Sequence, residues 1–130
     1  TVRRPTSARK YQITAANASL VQARVIVEGA NGPTTPEADA ILQDKGVLLV
    51  PDILANAGGV VVSYFEWIQG RQHYFWDVEE VRTKLEHIIK GAFREVVSLA
   101  EEQSVYLRDA ALMLAVNRVA QAIDIRGVFP

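Results

Sequence analysis

The chain has no cysteine and a single methionine. Without cysteine, no disulfide framework and no thiolate metal site can form, which fits a reducing compartment. Charge of one sign is also missing: 14 Lys and Arg stand against 15 Asp and Glu, a formal net charge of −1. Such a chain lacks the electrostatic footprint that nucleic acid requires and the polybasic patch that draws a protein to a membrane surface. No apolar run reaches the ~18 residues of a spanning helix, and the basic opening TVRRPTSARK is not followed by the apolar stretch of a secretory signal. The expectations are no nucleic-acid partner, no membrane, and a soluble cytoplasmic location, with a mitochondrial-type leader as the lesser option. No internal repeat or low-complexity segment is visible.

What is there suits one packed domain of 130 residues, 49% of them hydrophobic. Residues 1–7 have no apolar period and contain Pro5, which predicts a disordered tail. A helix is expected over 14–23, capped by Thr14, with Leu20 and Val21 on one face. Val25, Ile26 and Val27 form a β-branched run bounded by Gly29, the pattern of a strand buried on both faces in a parallel sheet. Thr35 followed by Pro36 is a helix start; Ala38, Ile41 and Leu42 share a face, and Gly46 is a stop. A second apolar run, 47–50, ends at Pro51. Strand, helix and strand make one βαβ unit, for which a right-handed crossover is the default.

The stretch NAGGVVVSYFEWI reads as strand or helix on composition alone, since paired glycines weaken a helix and three valines favour a strand. A long helix is expected over 78–102. Asp77 and Glu80 form its capping box, Trp76 can staple onto Val81, and Val81, Leu85, Ile88, Ala92, Val96 and Leu99 make its apolar stripe. A last helix is expected over 107–125, with Leu107, Ala111, Leu114, Val119 and Ala122 on one side and Gly127 closing it. Two strands do not make a comfortable sheet alone. The pattern is that of the tail of a larger α/β domain whose first strands lie elsewhere.

Two stretches carry candidate chemistry. EGANGPTTPEAD lies at the carboxyl end of a predicted parallel strand, where open α/β sheets bind ligands. Gly29 and Gly32 allow close backbone approach, and Asn31 offers a donor and an acceptor together. A plain βα turn rich in Gly, Asn and Pro has the same composition. PDILANAGGVVVSYFEW follows the next strand end and should lie beside the first stretch. Gly58 and Gly59 at a helix start leave N–H groups open to an anion, and Ser63 lies about one turn on; the glycine pair also suits close packing of a helix on a sheet. His73 and His87 have no partner at metal-ligand spacing, so no metal site is expected. The aromatics Tyr64, Phe65, Trp67, Tyr74, Phe75 and Trp76 can stack on a base, but core packing, or packing against a missing domain, is the better reading.

The blocks VEGANGPTTPEAD and VPDILANAGGVVVSYFEW resemble the C-terminal signature blocks of glutamate dehydrogenase, of the Glu/Leu/Phe/Val dehydrogenase superfamily. LRDAALMLAVNRVAQAIDIRG is similar to that family's closing helix, and the likeness runs from about Tyr11 to Gly127. The Leu, Phe and Val enzymes share NAGGV but differ in the first block, so glutamate is the favoured substrate. The resemblance implies an α/β fold: the C-terminal portion of a Rossmann-type dinucleotide-binding domain, with about two parallel strands followed by long helices. It also decides for a helix over NAGGVVVSYFEWI. It implies reversible oxidative deamination of L-glutamate to 2-oxoglutarate and ammonia with NAD or NADP, by a homo-oligomer. Gly29, Asn31 and Asn56 fall at cofactor-side positions, and Val60 and Ser63 at substrate-pocket positions, Ser63 meeting a glutamate carboxylate.

The departures are as informative. The family's catalytic lysine and aspartate match nothing here, so no catalytic residue is expected in this chain, and the GxGxxG phosphate turn is absent. Tyr11 stands where the family usually has asparagine. Residues 1–10 match nothing recognised and are expected to be a disordered or non-homologous tail, with 11–130 as the C-terminal part of the NAD(P)-binding domain with its closing helices. The upstream part is expected to be lost by truncation or a shifted frame, or to lie on another chain. Rival readings are a standalone, non-catalytic module that self-associates or binds a partner, and a weak nucleotide-binding module.

Overall fold

A computed structural model describes residues 10–127; the tail expected at 1–7 lies outside them. The chain runs α1 (Ala15–Ala18), β1 (Val25–Val27), α2 (Pro36–Asp44), β2 (Leu48–Val50), α3 (Asp52–Ala55), α4 (Gly58–Gln72), α5 (Val78–Gln103) and α6 (Leu107–Arg126). β1 and β2 pair in parallel, Val25 opposite Leu48 and Val27 opposite Val50. The strand–helix–strand unit read from the sequence is therefore present.

Its helix is set by local chemistry. The Thr35 hydroxyl accepts from the Ala38 N–H at 3.3 Å, and Pro36 takes the first position, where no N–H is needed. At the far end Gly46 adopts φ +68°, donating to Gln43 O, while Val47 donates to Leu42 O at 3.0 Å. This paired return satisfies two carbonyls that the helix leaves open and turns the chain straight into β2. Ala38 and Leu42 are then fully buried against Ala18, Val47 and Leu49, with Ile26 and Ile41 packed on the same cluster.

Beyond the second strand, the long helices α5 and α6 pack against each other around Leu54, Val96, Ala100, Ala110 and Ala111. Asp77 caps α5, its carboxylate accepting from the Glu80 N–H at 2.8 Å. The observed α4 resolves the ambiguity of composition in favour of helix. Phe65 is buried there and meets Trp76 edge-on at 5.4 Å between ring centroids, while the Gln69 carboxamide ties Phe65 O to the Trp76 N–H.

Four expectations need correction. The helix over 14–23 is only the single turn α1, because Lys45 reaches over and donates to the carbonyls of Ala18, Ser19 and Val21, which ends it; Leu20 is exposed. β1 is not buried on both faces: Val25 and Val27 stand 53% and 63% exposed, since among the described residues only the Ile26 face is covered. On the long helices, Ile88, Val119 and Ala122 are exposed, and the packing of α6 stops at about Leu114. Of the aromatics, only Phe65 and Trp76 are packed together; Tyr64 and Trp67 stack on each other at the surface, with Tyr74 and Phe75 also exposed. The short helix α3 is an addition to the elements expected from the sequence.

Candidate functional site

Both strands end on the same side, so the segments after Val27 and Val50 leave the sheet next to each other. This adjacency brings the two glycine- and asparagine-bearing stretches together. The Asn56 carboxamide donates to Asn31 Oδ1 at 2.6 Å. Around this bond lies an open hollow of about 660 Å³ lined by Lys10, Gly29, Ala30, Asn31, Asn56, Gly59, Val60 and Ser63. The five cofactor- and substrate-side positions named from the sequence all line it: Gly29, Asn31, Asn56, Val60 and Ser63. Gly59 and Ser63 sit one turn apart on α4, whose cap is Ala57, a residue without a side-chain acceptor for the first free N–H groups. The hollow thus offers two carboxamides, a hydroxyl, a helix N-terminus and one cation.

The first loop is held in shape from two sides. Gly32 takes φ +57°, a region costly for any residue with a Cβ, and its carbonyl accepts from the Tyr11 N–H at 2.9 Å. Residues 11–13 then run beside 32–35, with Ile13 bridging Thr34 in parallel, which carries Lys10 to the rim. From the other side, Asp52 Oδ2 accepts from the Gly32 N–H at 2.7 Å. The Asp52 carbonyl also accepts from the Asn56 N–H at 3.0 Å. One residue therefore touches the neighbour of Asn31 and Asn56 itself.

Behind Asp52 lies an ionic cluster that sequence reasoning does not anticipate. Glu28, whose side chain is fully buried, accepts from the Asp52 N–H at 2.9 Å through Oε2 and from Arg108 Nη2 at 2.8 Å through Oε1. Arg108 Nε donates to Asp39 Oδ2 at 2.8 Å, and its Nη1 lies 3.7 Å from Asp52 Oδ1. Burial opposes the guanidinium's charge, but the hydrogen bonds and charges of Glu28 and Asp39 outweigh it, so the pKa of Arg108 stands above the ordinary arginine value. Lys10, which lines the hollow itself, is likewise absent from the site residues read from the sequence. One signal was available: Glu28 ends an apolar strand, and a carboxylate in such a run demands a buried partner. Nothing local pointed to Arg108, 80 positions away. Among the described residues, no three His, Cys, Asp or Glu come together as a metal site, and no helix is long and apolar enough to cross a membrane. His73 ends α4 in the left-handed region and is exposed, as is His87.

A parallel strand–helix–strand unit whose two ligand-suited loops meet at the strand carboxyl ends, followed by long helices, is the C-terminal portion of a Rossmann-type dinucleotide-binding domain. Comparison with known proteins agrees. Residues 3–127 match the Glutamate/Leucine/Phenylalanine/Valine dehydrogenase family. A glutamate dehydrogenase of Thermotoga maritima is 57% identical over 118 residues, covering 91% of this chain and 28% of that protein. An NAD-specific glutamate dehydrogenase of Staphylococcus aureus is 49% identical over 116 residues, covering 89% of this chain and 28% of that protein. The hetero-hexameric glutamate dehydrogenase of Thermus thermophilus in its Leu-bound form superposes with a TM-score of 0.90 at 41% identity, over 95% of this chain and 30% of that one. The chain belongs to the Glutamate/Leucine/Phenylalanine/Valine dehydrogenase family. It spans about 28% of the length of the curated relatives it matches, and the family match begins ahead of Tyr11.

Proposed function

We propose that this segment forms one wall of the nicotinamide and substrate pocket of a glutamate dehydrogenase, with 11–130 as the C-terminal part of its NAD(P)-binding domain. The observation that carries the reading is the meeting of Asn31 and Asn56 over a hollow that also includes Val60 and Ser63. The donor set fits a nicotinamide riboside: carboxamides pair with ribose hydroxyls or with a second carboxamide, and Gly29, where a Cβ would meet nothing within 4 Å, leaves room for close approach. In this reading Gly29, Asn31 and Asn56 hold the cofactor, and NAD is favoured because NAD-specific enzymes are among the similar relatives. Val60 and Ser63 bound the glutamate side, where the Ser63 hydroxyl and the open N–H groups at the start of α4 receive a carboxylate. When bound, the nicotinamide supplies the acceptor for the hydride of the glutamate α-carbon. The proton transfers fall to lysine and aspartate residues outside this segment, so the 130 residues alone do not turn over glutamate. The intact enzyme is an oligomer of the cytoplasm in this reading.

The test is a chimera. The NAD-specific S. aureus enzyme, with its matching segment replaced by this chain, is expected to reduce NAD in the presence of glutamate, followed by cofactor absorbance. The 130-residue chain assayed alone is expected to be inactive. A folded chimera without glutamate-dependent turnover would sink the proposal.

A second reading has one observation behind it. Val25, Val27 and Leu48 on the sheet, and Val116, Val119 and Ile125 on α6, are exposed apolar side chains. They suit a self-associating, non-catalytic module.

A further inference from the structure

We infer that Arg108, which lies outside the ligand-lining hollow, is a positioning residue that sets the spacing of the Asn31 and Asn56 loops by acting through Glu28 and Asp52. The inference rests on the pocket assignment above and names the device that keeps that pocket in register.

The chain of bonds starts on α6. Arg108 spans three separate elements at once: Glu28 at the end of β1, Asp39 in α2 and Asp52 at the start of α3. The Glu28 carboxylate divides between two donors, taking Arg108 on Oε1 and the Asp52 N–H on Oε2. Its orientation therefore fixes where α3 begins. Asp52 then grips both loops, through Gly32 on one side and the Asn56 N–H on the other. A planar guanidinium with five donors can hold two carboxylates at fixed angles, which an ammonium cannot. Without it, Glu28 is left as a buried carboxylate with no cation, and it must rotate or draw in water. Either movement shifts Asp52, and with it the 2.6 Å contact between the two asparagines. A residue whose only duty was stability would need the pair with Glu28 or Asp39; the geometry gives it a path that ends at the ligand loops.

The experiment uses the active chimera and the variants R108M, R108K, D52A and R108M/D52A. Each is measured for KM for NAD, kcat, thermal midpoint, and hydrogen exchange read peptide by peptide. R108M is expected to raise KM for NAD about tenfold, the scale of one charge-assisted hydrogen bond. D52A raises it by a similar factor, and the double variant raises it no further than the larger single one, because both act on one path. The peptide containing Gly32 loses exchange protection in R108M, while the peptide containing Leu48 and Leu49 keeps it. R108K, which holds one carboxylate rather than two, falls between R108M and the parent and serves as the comparison if R108M does not fold. Unchanged KM for NAD in a folded R108M or R108K, or multiplying effects in the double variant, would overturn the inference. An inactive parent chimera would instead overturn the pocket assignment itself, and the two failures are thereby distinct.

Discussion

Asn31 and Asn56 touch through their side chains at 2.6 Å across 25 positions of sequence. The contact exists because β1 and β2 are adjacent and parallel, so that the segments leaving them emerge side by side. Its strength is measurable. A side-chain hydrogen bond at a partly open surface contributes ~1 kcal/mol net. In urea unfolding of the chain, N31A and N56A are each expected to lower stability by about that amount, and the double variant by little more than one of them. Fully additive losses would mean that the two side chains do not depend on each other.

The two glycines of the first loop should respond differently to the same change. Gly32 sits at φ +57°, and the nearest atom to a Cβ placed there is Lys10 Cγ at 4.0 Å, so G32A meets backbone strain rather than a clash. It is expected to lose ~1 kcal/mol. Gly29 has an ordinary backbone and open space beside it. G29A should leave urea stability within about 0.5 kcal/mol of the parent, while the added methyl group weakens NAD binding by the chimera. An effect of G29A on folding as large as that of G32A would contradict this account.

The contrast between these glycines also marks what is legible in the sequence. Gly46 and the Thr35–Pro36 pair speak through local chemistry, and the structure has both ends of α2 where that chemistry puts them. The pairing of the two loops is legible too, because parallel strands of one unit send their carboxyl ends the same way. The Glu28–Arg108 pair is not, since an ion pair 80 positions apart leaves no periodic trace. The exposure of Val25 and Val27 escapes the sequence for a related reason: a β-branched run signals a strand able to bury both faces, whereas among the described residues nothing covers this one. Lys45, whose ammonium ends α1 by holding three carbonyls, likewise acts from 24 or more positions away, beyond the reach of helix propensity.

Core and surface apolar residues should separate cleanly. Leu42 is fully buried in the cluster between α2 and the sheet. L42A is expected to cost ~3 kcal/mol, from lost burial and the cavity left behind. Spacing alone puts Val119 on the packed side of the last helix, yet it is 61% exposed. At chain concentrations low enough to keep it monomeric, V119A should change the urea midpoint by no more than the scatter of the measurement. Equal losses at both sites would mean that α6 is covered along its whole length.

One exposed pair gives a pH-dependent expectation. Lys90 hydrogen-bonds Glu86 one helical turn away, and this bond, with the lysine's charge, holds the Glu86 carboxyl below the ordinary glutamate value of 4.5. A lowered carboxyl pKa stabilises the folded state above the unfolded value, and the benefit fades as pH falls through the folded one. Both side chains are exposed, so solvent and salt screen the effect. E86Q should therefore differ from the parent only slightly at neutral pH and low salt, and the difference should shrink on acidification, once the pH falls below the ordinary glutamate value and on through the lowered one. A difference that grew on acidification would reverse the assigned sign.

Exposed apolar surface makes the last prediction. The free side of β1 presents Val25 and Val27, its backbone edge is unpaired among the described residues, and the far half of α6 adds Val116, Val119 and Ile125. An open strand edge and an uncovered helix face both favour contact with a further chain. The 130 residues on their own are thus expected to scatter light as particles larger than their 14.3 kDa at micromolar concentration. Placing charge on the two surfaces, with V27K and V119K, should return the chain towards monomer, because a lysine at a strand edge or on a helix face resists desolvation. If the pocket reading is right, this surface packs against the rest of the enzyme, and the same V27K should instead reduce the folding yield of the chimera. A parent chain that remains monomeric at those concentrations would remove the ground for the self-associating reading and leave the pocket assignment untouched.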